Sequence, residues 1–159
     1  MGTINCPVCG EELAVERSSG VAVMCCPECE GLWVQRQRLG VILEGHMRRF
    51  AANRGGEIVR RKRINPREVE TVRRICPECG RAMAKLNYAY NSNVIVDQCD
   101  TCHGIWLDKG EVEKLAEFFK CCGLPESFRK QLAEIKEIYR KHGSDGGEAL
   151  FSHHDDFLD

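Results

Sequence analysis

Four short runs rich in β-forming residues stand at residues 13–16, 21–25, 86–90 and 94–98. Turn-forming clusters, Ser18-Ser19-Gly20 and Asn91-Ser92-Asn93, separate the members of each pair, so the pattern predicts two β-hairpins. Leu32 and Trp33 follow the second cysteine pair of the first hairpin and are placed to cover the core beside those cysteines. From Gln35 the period lengthens to that of a helix, with Leu39, Leu43, Met47 and Phe50 on one stripe. Gly40 and Gly45 weaken that helix, and fraying or a bend is expected across residues 44–49.

The second half carries stronger helix signals. Asp108-Lys109-Gly110-Glu111 has the form of a capping box, with Asp108 at the cap and Glu111 at the third position. Val112, Leu115, Ala116 and Phe119 then give an apolar face, and Gly123-Leu124-Pro125 is the stop. A further amphipathic helix is predicted over residues 126–142, with Phe128, Leu132, Ile135 and Tyr139 on its apolar stripe.

The two hairpins are copies of one unit, which divides the chain. Residues 1–50 form the first unit with its helix, 51–75 a basic connector, 76–123 the second unit with its helix, 124–142 the amphipathic helix and 143–159 an acidic tail. Asn65-Pro66 in the connector resembles a short helix start, and residues 57–63 read as a strand or a solvated arm. The tail has the composition of a disordered segment. Units of about 40 residues cannot bury a self-sufficient core and usually need a metal or disulfides.

Cysteine spacing supplies that staple. Cys6 and Cys9 stand 16 residues before Cys26 and Cys29, and Cys76 and Cys79 stand 19 residues before Cys99 and Cys102. Paired Cys-x-x-Cys knuckles at this distance are the spacing of a tetrahedral four-thiolate site, so these eight residues are the candidate ligands. Proline stiffens the Cys-Pro-x-Cys turns, and Gly10 and Gly80 permit the positive φ that turns backbone N–H groups toward sulfur. Two Zn²⁺ ions are the expected occupants, with iron as the alternative for the same four sulfurs. His103 could compete as a ligand, but four cysteines already complete the shell. A closed shell leaves no position for water or substrate, which argues against catalysis at the metal.

The second unit, CPECG followed by a hairpin and CDTCHGIWLDKGEVEKL, resembles the bacterial zinc-finger family named for its likeness to the zinc ribbon of transcription factor IIB. Cys76, Cys79, Cys99 and Cys102 match the family's ligand positions, and Gly104, Trp106, Leu107, Asp108, Gly110 and Glu111 match its signature. The first unit keeps Gly31 and Trp33 but has VQRQR in place of LDKGE, which removes the capping box. The resemblance implies a zinc ribbon and supplies no reaction.

Composition narrows the remaining functions. Eleven cysteines would suit a secreted disulfide scaffold, yet no apolar leader or membrane span is evident, so a reducing cytoplasm is the expected compartment. The net charge of −1 hides an uneven distribution: residues 48–74 hold ten basic and three acidic side chains, whereas residues 143–159 hold five acids and no Lys or Arg. Arg60, Arg61, Lys62, Arg63, Arg73 and Arg74 are candidate phosphate contacts, although no stacking aromatics are interleaved with them. Cys25 reads as a strand residue, and Cys121 and Cys122 as small buried apolar groups, with a redox pair as the competing role. His153-His154 beside Asp155 and Asp156 is a weak metal candidate on a flexible tail.

The sequence thus predicts an α+β protein of two zinc ribbons, each a hairpin followed by a helix, with a C-terminal amphipathic helix. Its expected role is a non-catalytic structural adaptor with a protein partner, including a second copy of itself through the stripe from Phe128 to Tyr139. Nucleic-acid or transcription-apparatus binding is the alternative, and a thiol-redox enzyme the third choice. No nucleophile elbow, phosphate-binding loop or other small-molecule site is legible in the sequence.

Overall fold

The computed structural model describes residues 2–51, 72–89 and 92–142. The two units are not separate beads: they form one antiparallel sheet among the described residues. Strands β1 (Ala14–Ser18), β2 (Val21–Cys25) and β3 (Leu32–Gln35) come from the first unit, and β4 (Ala84–Asn87), β5 (Ile95–Gln98) and β6 (Gly104–Leu107) from the second. Their spatial order is β1-β2-β3-β6-β5-β4. Each unit is therefore three-stranded, and the third strands pair across the middle, with Leu32 opposite Leu107, Trp33 opposite Trp106, Val34 opposite Ile105 and Gln35 opposite Gly104. Trp33 covers the cysteine-lined core as expected, and the strand that carries it also joins the two units.

Alternation along the strands sorts side chains to two faces. Val21, Val23, Val34, Val96, Ile105 and Leu107 face a layer of helices, while Met24, Trp33 and Trp106 belong to a second cluster with Leu13, Met83 and the cysteine knuckles. Each unit thus has an aliphatic core on its helical side and a thiol-lined core on the other.

The β1–β2 turn has both central residues at positive φ, Ser19 at 54° and Gly20 at 87°, the requirement of a tight hairpin compatible with strand twist. Helix α1 (Arg36–Ala51) runs unbroken through the predicted bend. Its two glycines are contact points instead. A Cβ on Gly45 would lie 1.8 Å from the Ser19 hydroxyl oxygen, and one on Gly40 would touch the ring of Phe128 at 3.4 Å. The helix keeps glycine where a turn and a neighbouring helix approach its backbone.

Helix α2 (Glu111–Cys122) buries Val112, Leu115, Ala116 and Phe119, the face its spacing predicts, and ends where the Gly123 N–H donates to the Phe119 carbonyl at 2.8 Å. Its start differs from expectation. Gly110 at φ 83° is the cap residue, and no side chain caps the helix. Half of the predicted box survives, because Glu111 accepts the Asp108 backbone N–H at 2.8 Å. The Asp108 carboxylate is engaged elsewhere, as shown below.

Helix α3 (Glu126–His142) turns Phe128, Leu132 and Ile135 inward, with α1 among the elements it packs on. Phe128 stacks on Tyr88, with centroids 6.1 Å apart, and meets Phe119 edge-on at 5.9 Å. Three residues of the predicted apolar stripe, Phe128, Leu132 and Ile135, are thus buried within the chain itself. Among the described residues no helix is long and apolar enough to cross a membrane.

Candidate metal centres

All four knuckles are built alike. In each, the N–H of the residue after the second cysteine donates to the carbonyl of the first: Gly10 to Cys6 and Glu30 to Cys26, both at 3.0 Å, Gly80 to Cys76 at 3.0 Å and His103 to Cys99 at 2.9 Å. That residue is left-handed in every case, with φ of 81° at Gly10, 56° at Glu30, 72° at Gly80 and 57° at His103. Two of the four positions thus hold a side chain where glycine would be unstrained. The first cysteine of each knuckle also donates its own N–H to a carbonyl five residues on, over 2.7–2.9 Å. The tight loops that result leave N–H groups for sulfur: Val8 donates to Cys6 Sγ at 3.3 Å, Cys29 to Cys26 Sγ at 3.5 Å and Cys102 to Cys99 Sγ at 3.3 Å.

The hairpins bring the knuckles together in pairs. Cys6, Cys9, Cys26 and Cys29 converge at one end of the sheet's thiol-lined face, and Cys76, Cys79, Cys99 and Cys102 do so in the other unit, with the four sulfurs of each group within 4.8 Å of one another. Close Sγ–Sγ distances are 3.5 Å for Cys6–Cys29, 3.4 Å for Cys9–Cys26, 3.9 Å for Cys76–Cys102 and 3.5 Å for Cys79–Cys99. A tetrahedron of sulfurs about 2.3 Å from a central ion has edges of about 3.8 Å, so both groups fit a divalent ion in size and donor type.

Local electrostatics prepare the thiols unequally. The Arg81 N–H lowers Cys79 to about 7. At Cys26 burial opposes ionisation, but the N–H groups of Cys29 and Glu28 and the Cys9 thiol outweigh it and also bring that thiol to about 7. Burial pushes Cys29 and Cys76 up to about 12. Each shell offers one sulfur that ionises near neutral pH and others that release a proton on meeting a metal, so uptake should liberate protons and tighten as pH rises.

Around the second centre lies a charged network that sequence reasoning missed. Asp97, 2% exposed, accepts Arg74 Nη1 at 3.0 Å and Lys85 Nζ at 3.0 Å. Arg74 also reaches both oxygens of Asp108, at 2.8 and 2.9 Å, and Asp108 accepts the Trp106 indole N–H at 3.0 Å. Burial disfavours the Arg74 charge, but Asp108 and Asp97 outweigh it and hold the guanidinium above its ordinary value. A residue two before the first cysteine of this cluster is thereby tied to one six after the last. Arg74 was a candidate phosphate contact; its charge is engaged in these ion pairs instead. Arg73 is exposed, while Arg60, Arg61, Lys62 and Arg63 lie outside the described residues, as do the predicted connector helix and the His153-His154 tail.

The first unit has no equivalent network. Ile4 stands where the second has Arg74, Met24 where it has Asp97, and Gln35 where it has Asp108. The Gln35 amide donates to Glu78 of the other unit at 2.9 Å, and Trp33 Nε1, fully buried, has no hydrogen-bond partner among the described residues. Loss of the LDKGE segment therefore removes more than a helix start. It also removes the acceptor for the buried indole.

The remaining cysteines lie outside the two four-cysteine clusters. Cys25 lies in β2 at intermediate exposure, with burial raising its thiol. Cys121 and Cys122 are both exposed at the end of α2, not buried as expected, because the helix turns its apolar face away from them. His103 is exposed and shares in no cluster of metal-binding groups among the described residues.

No curated protein and no solved structure matches the chain. A family model described as transcription factor zinc-finger, of the zinc-ribbon type of transcription factor IIB, matches residues 5–45 and again 75–117, which together make just over half of the sequence. Each match contains one complete set of four cysteines. The chain belongs to this zinc-ribbon family and carries its unit twice.

Proposed function

We propose that the protein is a non-catalytic adaptor that binds two Zn²⁺ ions and uses the fused double ribbon as a rigid platform for a protein partner in the cytoplasm. Closure of both shells is the observation that supports this reading most. Four thiols meet at each centre, and no fifth metal-binding side chain joins either group among the described residues, so the metal has a structural part to play and no open site for substrate. Zinc suits the tetrahedral sulfur set and the family; iron would fit the same sulfurs.

The charge of the connector favours nucleic acid as a second reading, through Arg60, Arg61, Lys62, Arg63 and Arg73. Both readings meet in one experiment, titration of the metal-loaded chain with mixed DNA and RNA at about 50 mM salt, where phosphate contacts are strongest. The adaptor reading expects no binding that weakens as salt is raised. A steep salt dependence would replace it with the second reading. A thiol-redox activity would need Cys121 and Cys122 to cooperate, but neighbouring residues on a helix point about 100° apart.

A further inference from the structure

The two metal centres lie in different units, yet each unit's second knuckle is completed by a side chain from the other. Gly31 follows Cys29 by two residues, and a Cβ there would lie 2.1 Å from a ring carbon of Trp106. Gly104 follows Cys102 by two residues, and a Cβ there would lie 2.1 Å from the matching ring carbon of Trp33. Each indole therefore crosses the β3–β6 seam and lies on the backbone beside the last ligand of the opposite centre. Both tryptophans are fully buried, and they occupy the same cluster as Cys6, Cys26, Cys76, Cys99 and Cys102.

The same carbonyls hold the knuckles in shape. Gly31 accepts the Cys26 N–H and Gly104 accepts the Cys99 N–H, each at 2.9 Å. Two surface contacts span the seam in the same sense. Gln35 donates to Glu78, which lies between Cys76 and Cys79, and Lys109 donates to Glu30, next to Cys29, each at 2.9 Å. If one centre opens, it loses its own shell and also releases the strand and indole that pack on the other.

We propose that the two centres are energetically coupled, so that filling one raises the affinity of the other and the protein loads its two ions as a unit. The coupling rests on the metal-binding reading above. Its carriers are Trp33 on Gly104, Trp106 on Gly31 and the four-residue β3–β6 pairing. Coupling between sites through a shared two-state element is commonly worth fivefold or more in affinity and is reciprocal.

The test is native mass spectrometry of the reduced full-length chain during stepwise zinc removal with a competing chelator. Independent, equal centres at half loading leave about half of the molecules with one ion, and unequal ones leave more; fivefold coupling lowers that fraction to about a third. A one-ion fraction below half can arise only from coupling, and a third or less is expected; a fraction of half or more would overturn the claim that the protein loads its two ions as a unit while leaving the metal sites intact. A chain that takes up no ion at all would overturn both.

Gly31→Ala provides a second measurement, because its clash is with the other unit's Trp106. Alkylation followed by peptide mapping during chelation reports which cysteines lose protection. The coupling expects Cys76, Cys79, Cys99 and Cys102 to lose it several-fold faster than in the wild type. Acceleration confined to Cys6, Cys9, Cys26 and Cys29 would overturn it.

Discussion

Trp33 stands directly opposite Trp106 at the centre of the sheet, and the two indoles differ in one respect: Trp106 gives its N–H to Asp108, whereas Trp33 gives its own to nothing among the described residues. The difference follows from one exchange of residues, Asp108 in the second unit for Gln35 in the first. It makes the second ribbon the better-braced of two copies of the same backbone.

Asp108→Ala should cost about 1–3 kcal/mol in urea unfolding of the metal-loaded protein, since it leaves a buried indole N–H unpaired and removes one of the two carboxylates on Arg74. Asp108→Asn keeps an acceptor for the indole and should lose less. Gln35→Ala breaks only the contact with Glu78 on the surface and should fall within about 1 kcal/mol of the wild type. Equal losses at positions 35 and 108 would refute the asymmetry.

Gly104→Ala places a methyl group within the Trp33 ring, 2.1 Å from a ring carbon, so the buried indole or the strand must shift. Overpacking of this kind costs about 1–3 kcal/mol. Trp33 should also be displaced, read as a shift in tryptophan fluorescence. An unchanged spectrum with unchanged stability would mean that the seam is looser than described.

Much of this was legible in the sequence. The two four-cysteine clusters, both hairpins and the inward face of α2 follow from cysteine spacing, turn residues and period. The third strands were not, because four-residue runs such as Leu32–Gln35 and Gly104–Leu107 are too short to show a period, and their role appears only when they meet each other. The Arg74 network was hidden for a related reason: a charged residue in a basic stretch reads as solvated until Asp97 and Asp108, 23 and 34 residues away, are brought beside it. Asp108 itself carried two compatible meanings, helix cap and indole acceptor, and local sequence favours the first. Cys121 and Cys122 were misplaced because cysteine is usually buried, whereas their position on α2 is set by Val112, Leu115, Ala116 and Phe119.

Glu111 gives the protein a pH dependence of unusual sign. Burial, together with the Asp108 and Asp97 charges, outweighs the hydrogen bond from the Asp108 N–H and raises its carboxyl from 4.5 to about 7, while Lys114 acts in the opposite direction. The folded state therefore holds a proton that the unfolded state has lost between these values. The contribution of this group is full below pH 4.5 and falls away as pH rises toward 7. Metal binding works in the opposite direction, so the quantity to measure is the difference between wild type and Glu111→Gln at saturating zinc. The variant should gain on the wild type as pH rises from about 5 to 7, by ~1–3 kcal/mol. A constant difference would show that Glu111 does not titrate there.

Exposure of the cysteines predicts their reactivity. In the metal-loaded protein a brief pulse of alkylating agent should modify Cys121 and Cys122 first, Cys25 slowly and the eight clustered cysteines hardly at all. Fast modification of Cys9 or Cys79, the most exposed of the eight, would place them outside the metal shell.

The central claim is that two metal ions build this fold, and metal stoichiometry measured together with structure tests it most directly. Native mass spectrometry of the full chain should find two divalent ions, and their removal by a chelator should abolish the near-ultraviolet circular dichroism of the buried tryptophans Trp33 and Trp106. A chain that keeps that signal with no metal bound would contradict the account.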